Sequence, residues 1–378
     1  MTTAGLEGVV ATQSGISSII DGVLTYRGID IDELALQASF EEVLYLLWHD
    51  ELPTVEELNK LKNDLAIQGV LPDEIIALIN AFPKDTHPMA VLRTVISALE
   101  LYDPDAYDMS PEANLRKALN IQAKISTVTA AIQRAREGKE ILSPQSDLSF
   151  AENFLYMLTG EIPDEIARQS FDTALILHAD HELNASTFAS RVTVGTLANM
   201  YSGIVSAIGT LSGPLHGGAN EAVMEMLEEI GDVENVESYV YEAFRTKRKI
   251  MGFGHRVYKT GDPRAKFLKS MSKSLTALKG QQALYEMSVK IDEIVTKEKG
   301  LLPNVDFYSA STYHSLGIER NLFTPIFAVS RTSGWTAHIM EQYSNNRLIR
   351  PRAEYVGSQL RSYIPIEERA LKEGCLRE

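Results

Sequence analysis

The chain has a single cysteine, Cys375, among its 378 residues, so no disulfide can form within it and it has no need of an oxidising compartment. Tryptophan is scarce, with two residues, and no apolar run approaches the ~18 residues that cross a bilayer. The first residues, Met1-Thr2-Thr3-Ala4-Gly5-Leu6-Glu7, lack the cationic and apolar regions of a secretory signal. No low-complexity segment or Gly/Ser/Pro-rich linker divides the sequence. These absences argue against a disulfide scaffold and a membrane-spanning protein. They leave a cytoplasmic globular chain with room for two closely packed domains. Basic residues are in deficit, 36 Lys+Arg against 51 Asp+Glu for a net charge of −15. A surface of that sign repels nucleic acid.

Against this acidic background one stretch concentrates positive charge. From Arg245 to Lys269 there are nine Lys/Arg and one acidic residue, Asp262, a local charge of +8. It contains Met251-Gly252-Phe253-Gly254-His255-Arg256-Val257-Tyr258-Lys259, with Asp262-Pro263-Arg264 close behind. A histidine set between glycines and cations suits a small polyanion held in a recessed pocket, where the field is focused locally. For Arg245 to Lys249 a solvated helix face is the plainer explanation.

The periodicity is helical almost throughout. Ser39-Phe40-Glu41-Glu42 and Thr54-Val55-Glu56-Glu57 have the form of capping boxes, each followed by apolar residues on one helical face. Asp262-Pro263 reads as a cap and first helical residue ahead of Phe267, Leu268, Met271 and Leu275. Helical alternation also runs through 113–136 and 171–211. Strand-like runs are confined to the region between Gly8 and Tyr26. No regular alternation of strand and helix suggests a Rossmann sheet, so the expected fold class is all-α.

Of the eight histidines, His49, His87, His314 and His338 have ordinary surroundings, and His338 reads as a packed core residue. The other four lie in dense motifs. His178-Ala179-Asp180-His181-Glu182-Leu183-Asn184-Ala185-Ser186 spaces two histidines three apart at a helix end; a metal would fit that spacing, and so would a hydrogen-bonded polar terminus. Gly213-Pro214-Leu215-His216-Gly217-Gly218-Ala219-Asn220 ends one helix and opens another, bringing backbone close to a ligand. Asn304-Val305-Asp306-Phe307-Tyr308-Ser309 sets one carboxylate among apolar and aromatic neighbours. Buried there it would make a good general base, and a helix cap is the alternative. Histidines, an aspartate and arginines together suit proton removal from carbon next to a carbonyl. The carboxylate takes the proton, a neutral histidine stabilises the enol oxygen, a second polarises an acceptor carbonyl, and arginines clamp its carboxylates.

These motifs, with Val329-Ser330-Arg331 and Ile349-Arg350-Pro351-Arg352, occur in an order that resembles the citrate synthase family over essentially the whole chain, most closely its short dimeric type from Gram-positive bacteria. The resemblance implies an all-α enzyme whose large domain (1–218 and 323–378) is interrupted by a small one (219–322). The reaction implied is condensation of acetyl-CoA with oxaloacetate and water to citrate and CoA. By motif, Asp306 would be the base, His216 the donor to the thioester oxygen and His255 the group that polarises the ketone. His181, His255, Arg264 and Arg331 would bind oxaloacetate, joined by Arg350 from the second subunit of a homodimer. Ile250, Met251, Gly252, Gly254, Arg256 and Lys259 would meet CoA. The resemblance implies no metal and no cofactor, and sets aside a metal-dependent hydrolase built on His178, Asp180, His181 and Glu182. The nearest rival is a 2-methylcitrate synthase acting on propionyl-CoA; His178 and the Tyr308-Ser309 pair favour acetyl.

Overall fold

The computed structural model describes residues 4–6, 8–255, 258 and 261–369. A small antiparallel sheet opens the chain: β1 (Ser17–Ile20), β2 (Val23–Tyr26) and β3 (Ile29–Asp30), in that order. Two-residue turns set its register. Asp21-Gly22 and Arg27-Gly28 each have positive φ at both positions, pairing Ile20 with Val23 and Tyr26 with Ile29. Such turns match the twist of the strands they join.

The rest is helical. The first group comprises α1 (Ile31–Gln37), α2 (Phe40–His49), α3 (Val55–Gln68), α4 (Asp73–Ala81), α5 (Pro88–Leu99), α6 (Pro111–Arg136), α7 (Phe150–Thr159), α8 (Glu165–His178), α9 (Ala185–Val194) and α10 (Met200–Leu211). A second group follows: α11 (Ala219–Ile230), α12 (Val236–Thr246), α13 (Ala265–Leu278), α14 (Gln282–Lys299) and α15 (Val305–Ser315). α16 (Phe323–Ser344) closes the series. Both expected capping boxes are present, Ser39 with Glu42 and Thr54 with Glu57.

α16 organises the first group. It packs on α2, α5, α6, α8, α9 and α10 and is buried without interruption from Phe323 to Ile339. A helix covered on all sides has no solvent face, so its polar residues must find partners inside the protein. Helices α11 to α15 pack chiefly on one another. The chain passes between the two groups at 217–219 and again at 322–323. Glu221 ties the crossings, its Oε1 accepting both the Thr324 N–H at 3.2 Å and the Thr324 hydroxyl, whose oxygen also lies 3.3 Å from Gly217 O.

Two sequence expectations need correction. The alternation over 171–211 is broken at 179–184 and 195–199, giving α8, α9 and α10; His181 therefore lies beyond the helix that ends at His178. α13 begins at Ala265, and Asp262 does not cap it. The Asp262 carboxylate is occupied by the Arg264 guanidinium and the Val305 N–H instead. Beyond α16, residues 345–365 run without regular structure and Ile366–Glu368 form one short helical turn.

Candidate active site

The candidate site residues come from five places in the chain. The turn after α8 supplies His181, and the α10–α11 link supplies His216. The segment before α13 supplies His255, Tyr258 and Arg264, while α15 and α16 supply Asp306 and Arg331. Arg331 reaches the turn directly, Nε donating to His178 O at 2.6 Å, with its guanidinium 4.6 Å from the Phe327 ring centre. It is buried, and among the described residues it forms no ion pair. Burial lowers its pKa to about 10. A guanidinium left in that state attracts an anionic ligand. Arg264 is also buried, but Asp262 holds it in bidentate geometry, 2.9 and 2.8 Å from Nε and Nη2. The same carboxylate accepts the Val305 N–H at 3.1 Å, joining Arg264 to the first turn of α15.

The histidines gather around these cations. His181 and His255 have ring centres 5.1 Å apart, and the Tyr258 hydroxyl lies 3.1 Å from His181 Nε2. The Tyr258 N–H donates to His255 Nδ1 at 3.2 Å, so a neutral His255 carries its proton on Nε2. The Ser186 N–H likewise donates to His216 Nε2 at 3.3 Å, which leaves the proton on Nδ1. Burial, reinforced by Arg331, lowers the His216 pKa to about 4. Burial and then Arg264 hold His181 well below its ordinary value and lower His255. His178 is fully buried, its pKa lowered by burial to about 3. Its Nδ1 lies 2.7 Å from Ala174 O, with the ring edge-on to Phe327. The imidazoles of the site are thus held neutral.

The carboxyl is held the other way. Asp306 is the second residue of α15, behind the cap Asn304, whose Oδ1 accepts the Asp306 N–H at 3.0 Å. Asp306 is therefore not the cap. Its Oδ1 is sealed from solvent with no hydrogen-bond partner. Burial raises its pKa to about 7, although Arg264 and Arg331 pull the other way. A carboxyl poised near neutrality beside neutral imidazole donors is suited to moving a proton from carbon.

Ile250, Met251, Gly252 and Gly254 lie along the approach to α15. Gly252 O accepts the Asn304 N–H at 2.9 Å, and the Gly254 N–H donates to Leu302 O at 2.9 Å. Gly252 has φ 81°, and a Cβ there would stand 2.9 Å from both Phe307 and Val223, so only glycine fits. Arg256 and Lys259 lie outside the described residues. Arg245 and Arg248 form exposed ion pairs with Glu242 and Glu229, the solvated face read for that segment. Arg350 does not join the other groups within this chain. It is exposed, beside a cavity of about 840 Å³ lined also by Arg191, Glu341 and Arg347. Tyr308 turns its hydroxyl to Asp292, 2.7 Å away, and Ser309 donates to Asp306 O. Tyr26 was missed in the sequence. Its hydroxyl donates to Ile176 O or Asp180 O and accepts the Asp180 N–H, contacts across some 150 positions that no local pattern signals.

Residues 5–352 match the family model described as "Citrate synthase, C-terminal domain". The chain is 62% identical over 369 residues to citrate synthase 2 of Bacillus subtilis, covering 97% of this chain and 99% of that one. It is 41% identical to 2-methylcitrate synthase 1 of Corynebacterium glutamicum, covering 97% and 98%. The structure of citrate synthase from Thermoplasma acidophilum, in a ternary complex with carboxymethyl coenzyme A and oxaloacetate, superimposes with a TM-score of 0.92 at 36% identity, covering 97% of this chain and 98% of that one. With a family match over residues 5–352, a helical fold shared with a solved citrate synthase and 62% identity to a citrate synthase over 97% of its length, the chain belongs to the citrate synthase family.

Proposed function

We propose that this site carries out the condensation of acetyl-CoA with oxaloacetate and water to citrate and CoA, with the following division of labour. Asp306 takes a proton from the acetyl methyl group. His216 donates from Nδ1 to the thioester oxygen, and a neutral donor is well matched to the enol that forms there. His255 donates from Nε2 to the oxaloacetate ketone and gives that proton to the new alkoxide. Arg264, Arg331 and His181 hold the oxaloacetate carboxylates, with Arg350 supplied by the second subunit of a homodimer. The backbone from Ile250 to Gly254 receives the adenine of CoA, and Arg256 and Lys259 its phosphates. Water then hydrolyses the citryl thioester in the same pocket. Each carbonyl has a histidine donor in this scheme, so the reaction requires neither metal nor cofactor. Residues 219–322 act as a small domain that closes over oxaloacetate, a reading supported by the mutual packing of α11 to α15 and by closure's exclusion of water from the thioester. No helix among the described residues is long and apolar enough to cross a membrane, and a cytoplasmic location accords with the single cysteine.

The observation that carries this reading is the Asp306 carboxyl, sealed and held up to about 7, in one site with imidazoles held neutral. Release of CoA from acetyl-CoA and oxaloacetate tests it. Asp306→Asn should lower kcat by ~10²–10⁴-fold and leave oxaloacetate binding, followed by thermal shift, intact. EDTA should have no effect. Acetyl-CoA should exceed propionyl-CoA in kcat/KM by about 10-fold or more. Near-normal turnover by the variant removes Asp306 as base, and a preference for propionyl-CoA makes the enzyme a 2-methylcitrate synthase.

A further inference from the structure

Behind the His178–His181 turn lies a second set of polar side chains with no part in the chemistry above. Asp180 is fully buried, and its side chain points to α16. There Oδ2 accepts from Ser17 Oγ at 2.5 Å and from His338 Nε2 at 3.2 Å. On the far side of the His338 ring, Arg191 Nη1 donates to Nδ1 at 3.1 Å. An arginine only donates, so His338 must accept on Nδ1 and carry its proton on Nε2, the atom facing Asp180. The hydrogen bonds therefore run in one direction, from Arg191 through His338 to Asp180. Arg191 is anchored in turn by Glu341 Oε2 at 2.5 Å and by Gln342 Oε1 at 3.0 Å.

Both ends of this relay meet segments that matter to the site. At one end Asp180 stands between His178 and His181. The turn is tight there: Glu182 has φ 49°, a strained conformation for a side-chain-bearing residue. The Glu182 N–H donates to Ser17 Oγ, the hydroxyl that itself donates to Asp180. At the other end Gln342 Nε2 donates to Arg347 O at 3.4 Å, three residues before Arg350. A histidine buried for packing alone would need partners, but not partners linking these two segments.

We propose that His338 is a positioning residue for oxaloacetate, the central link of a buried Arg191–His338–Asp180 relay that holds the turn carrying His181 and seats the root of the segment carrying Arg350. The inference rests on the reading that His181 and Arg350 bind oxaloacetate. The relay gives each subunit a rigid connection between its own oxaloacetate turn and the arm it extends to its partner.

The test compares His338→Leu, which removes both hydrogen bonds, with His338→Gln, whose amide restores one acceptor and one donor. The leucine variant should raise the KM for oxaloacetate by about 10-fold or more and leave kcat and the KM for acetyl-CoA within about 3-fold; the glutamine variant should return the oxaloacetate KM to within about 3-fold of wild type. A folded leucine variant with unchanged oxaloacetate KM overturns the proposal, as does an elevated KM that glutamine fails to rescue. If the leucine chain does not fold, His338→Asn, shorter in reach, decides: an oxaloacetate KM raised about 3-fold or more supports the relay, and an unchanged one overturns it. Hydrogen exchange supplies a readout that needs no substrate. Amides of 179–182 and 347–350 should exchange faster in the leucine variant and recover with glutamine, and unchanged exchange overturns the relay. A wild-type protein that neither binds nor turns over oxaloacetate refutes the functional reading, and exchange then decides the relay alone.

Discussion

Asp306 opposes the fold and serves the proposed chemistry for the same reason. Its carboxyl has an ordinary value of 3.8 and is raised to about 7 by burial, so the folded protein holds this proton more tightly than the unfolded chain. The sign follows: stability is greatest with Asp306 protonated and declines as pH rises from about 4 through about 7. At pH 8, Asp306→Asn should therefore melt about 2–5 °C higher than wild type, with the gap narrowing towards pH 5, as calorimetry can record. Activity should run the other way. Only the carboxylate can act as base, so kcat/KM for acetyl-CoA should fall about tenfold per unit below pH 7. His216, lowered to about 4, stays neutral over that range and does not set the limb. A flat profile between pH 5 and 7 would separate Asp306 from the rate.

Among the elements, the break between α8 and α9 matters most, and it was the least legible in the sequence. The apolar alternation over 171–211 runs on as though a helix continued. What interrupts it comes from elsewhere: the Tyr26 hydroxyl on Asp180, the Ser17 hydroxyl on the Glu182 N–H, and Arg331 on His178 O. None of these partners is local, so a reading of period and caps could not find them. Only Asn184, which caps α9, marks the restart in sequence. Capping boxes at Ser39 and Thr54 were legible because both halves of the motif lie within four residues. Gly334 shows how closely α16 fits the turn. Its N–H donates to Ala179 O at 3.2 Å, and a Cβ there would stand 2.5 Å from that oxygen and clash also with Asp180 Oδ1. Gly334→Ala should cost about 1–3 kcal/mol in urea denaturation, since a packed backbone has nowhere to move. It should also raise the oxaloacetate KM. Wild-type stability and KM in this variant would show that the turn yields freely.

For the molecule as a whole, helical class and the set of site motifs were legible in sequence, whereas their convergence was not, because spacing along a chain carries no distance across it. Arg350 is the case in point, exposed beside a cavity that none of the other candidate groups lines. The proposed dimer accounts for it by placing Arg350 in the partner's site, and mixing inactive variants tests the placement. Arg350→Ala and Asp306→Ala chains, unfolded together and refolded, should pair at random, about half as mixed dimers. Each mixed dimer then has one site with both defects and one with neither, so about a quarter of all sites should recover activity. If Arg350 serves its own subunit, every site keeps a defect and the mixture stays inactive.

The segment after α16 has a further consequence. Tyr355, Val356, Leu360, Tyr363 and Ile364 are all exposed along it, apolar side chains that a lone chain has no means of sheltering. Were the second subunit of the proposed dimer to cover them, a newly made chain would stay open to proteases until it met its partner. Encounter is second order in chain concentration while degradation is first order. At low expression the supply of finished enzyme would then fall more steeply than synthesis itself, and a cell could cut its condensing capacity sharply by making only somewhat less of this protein.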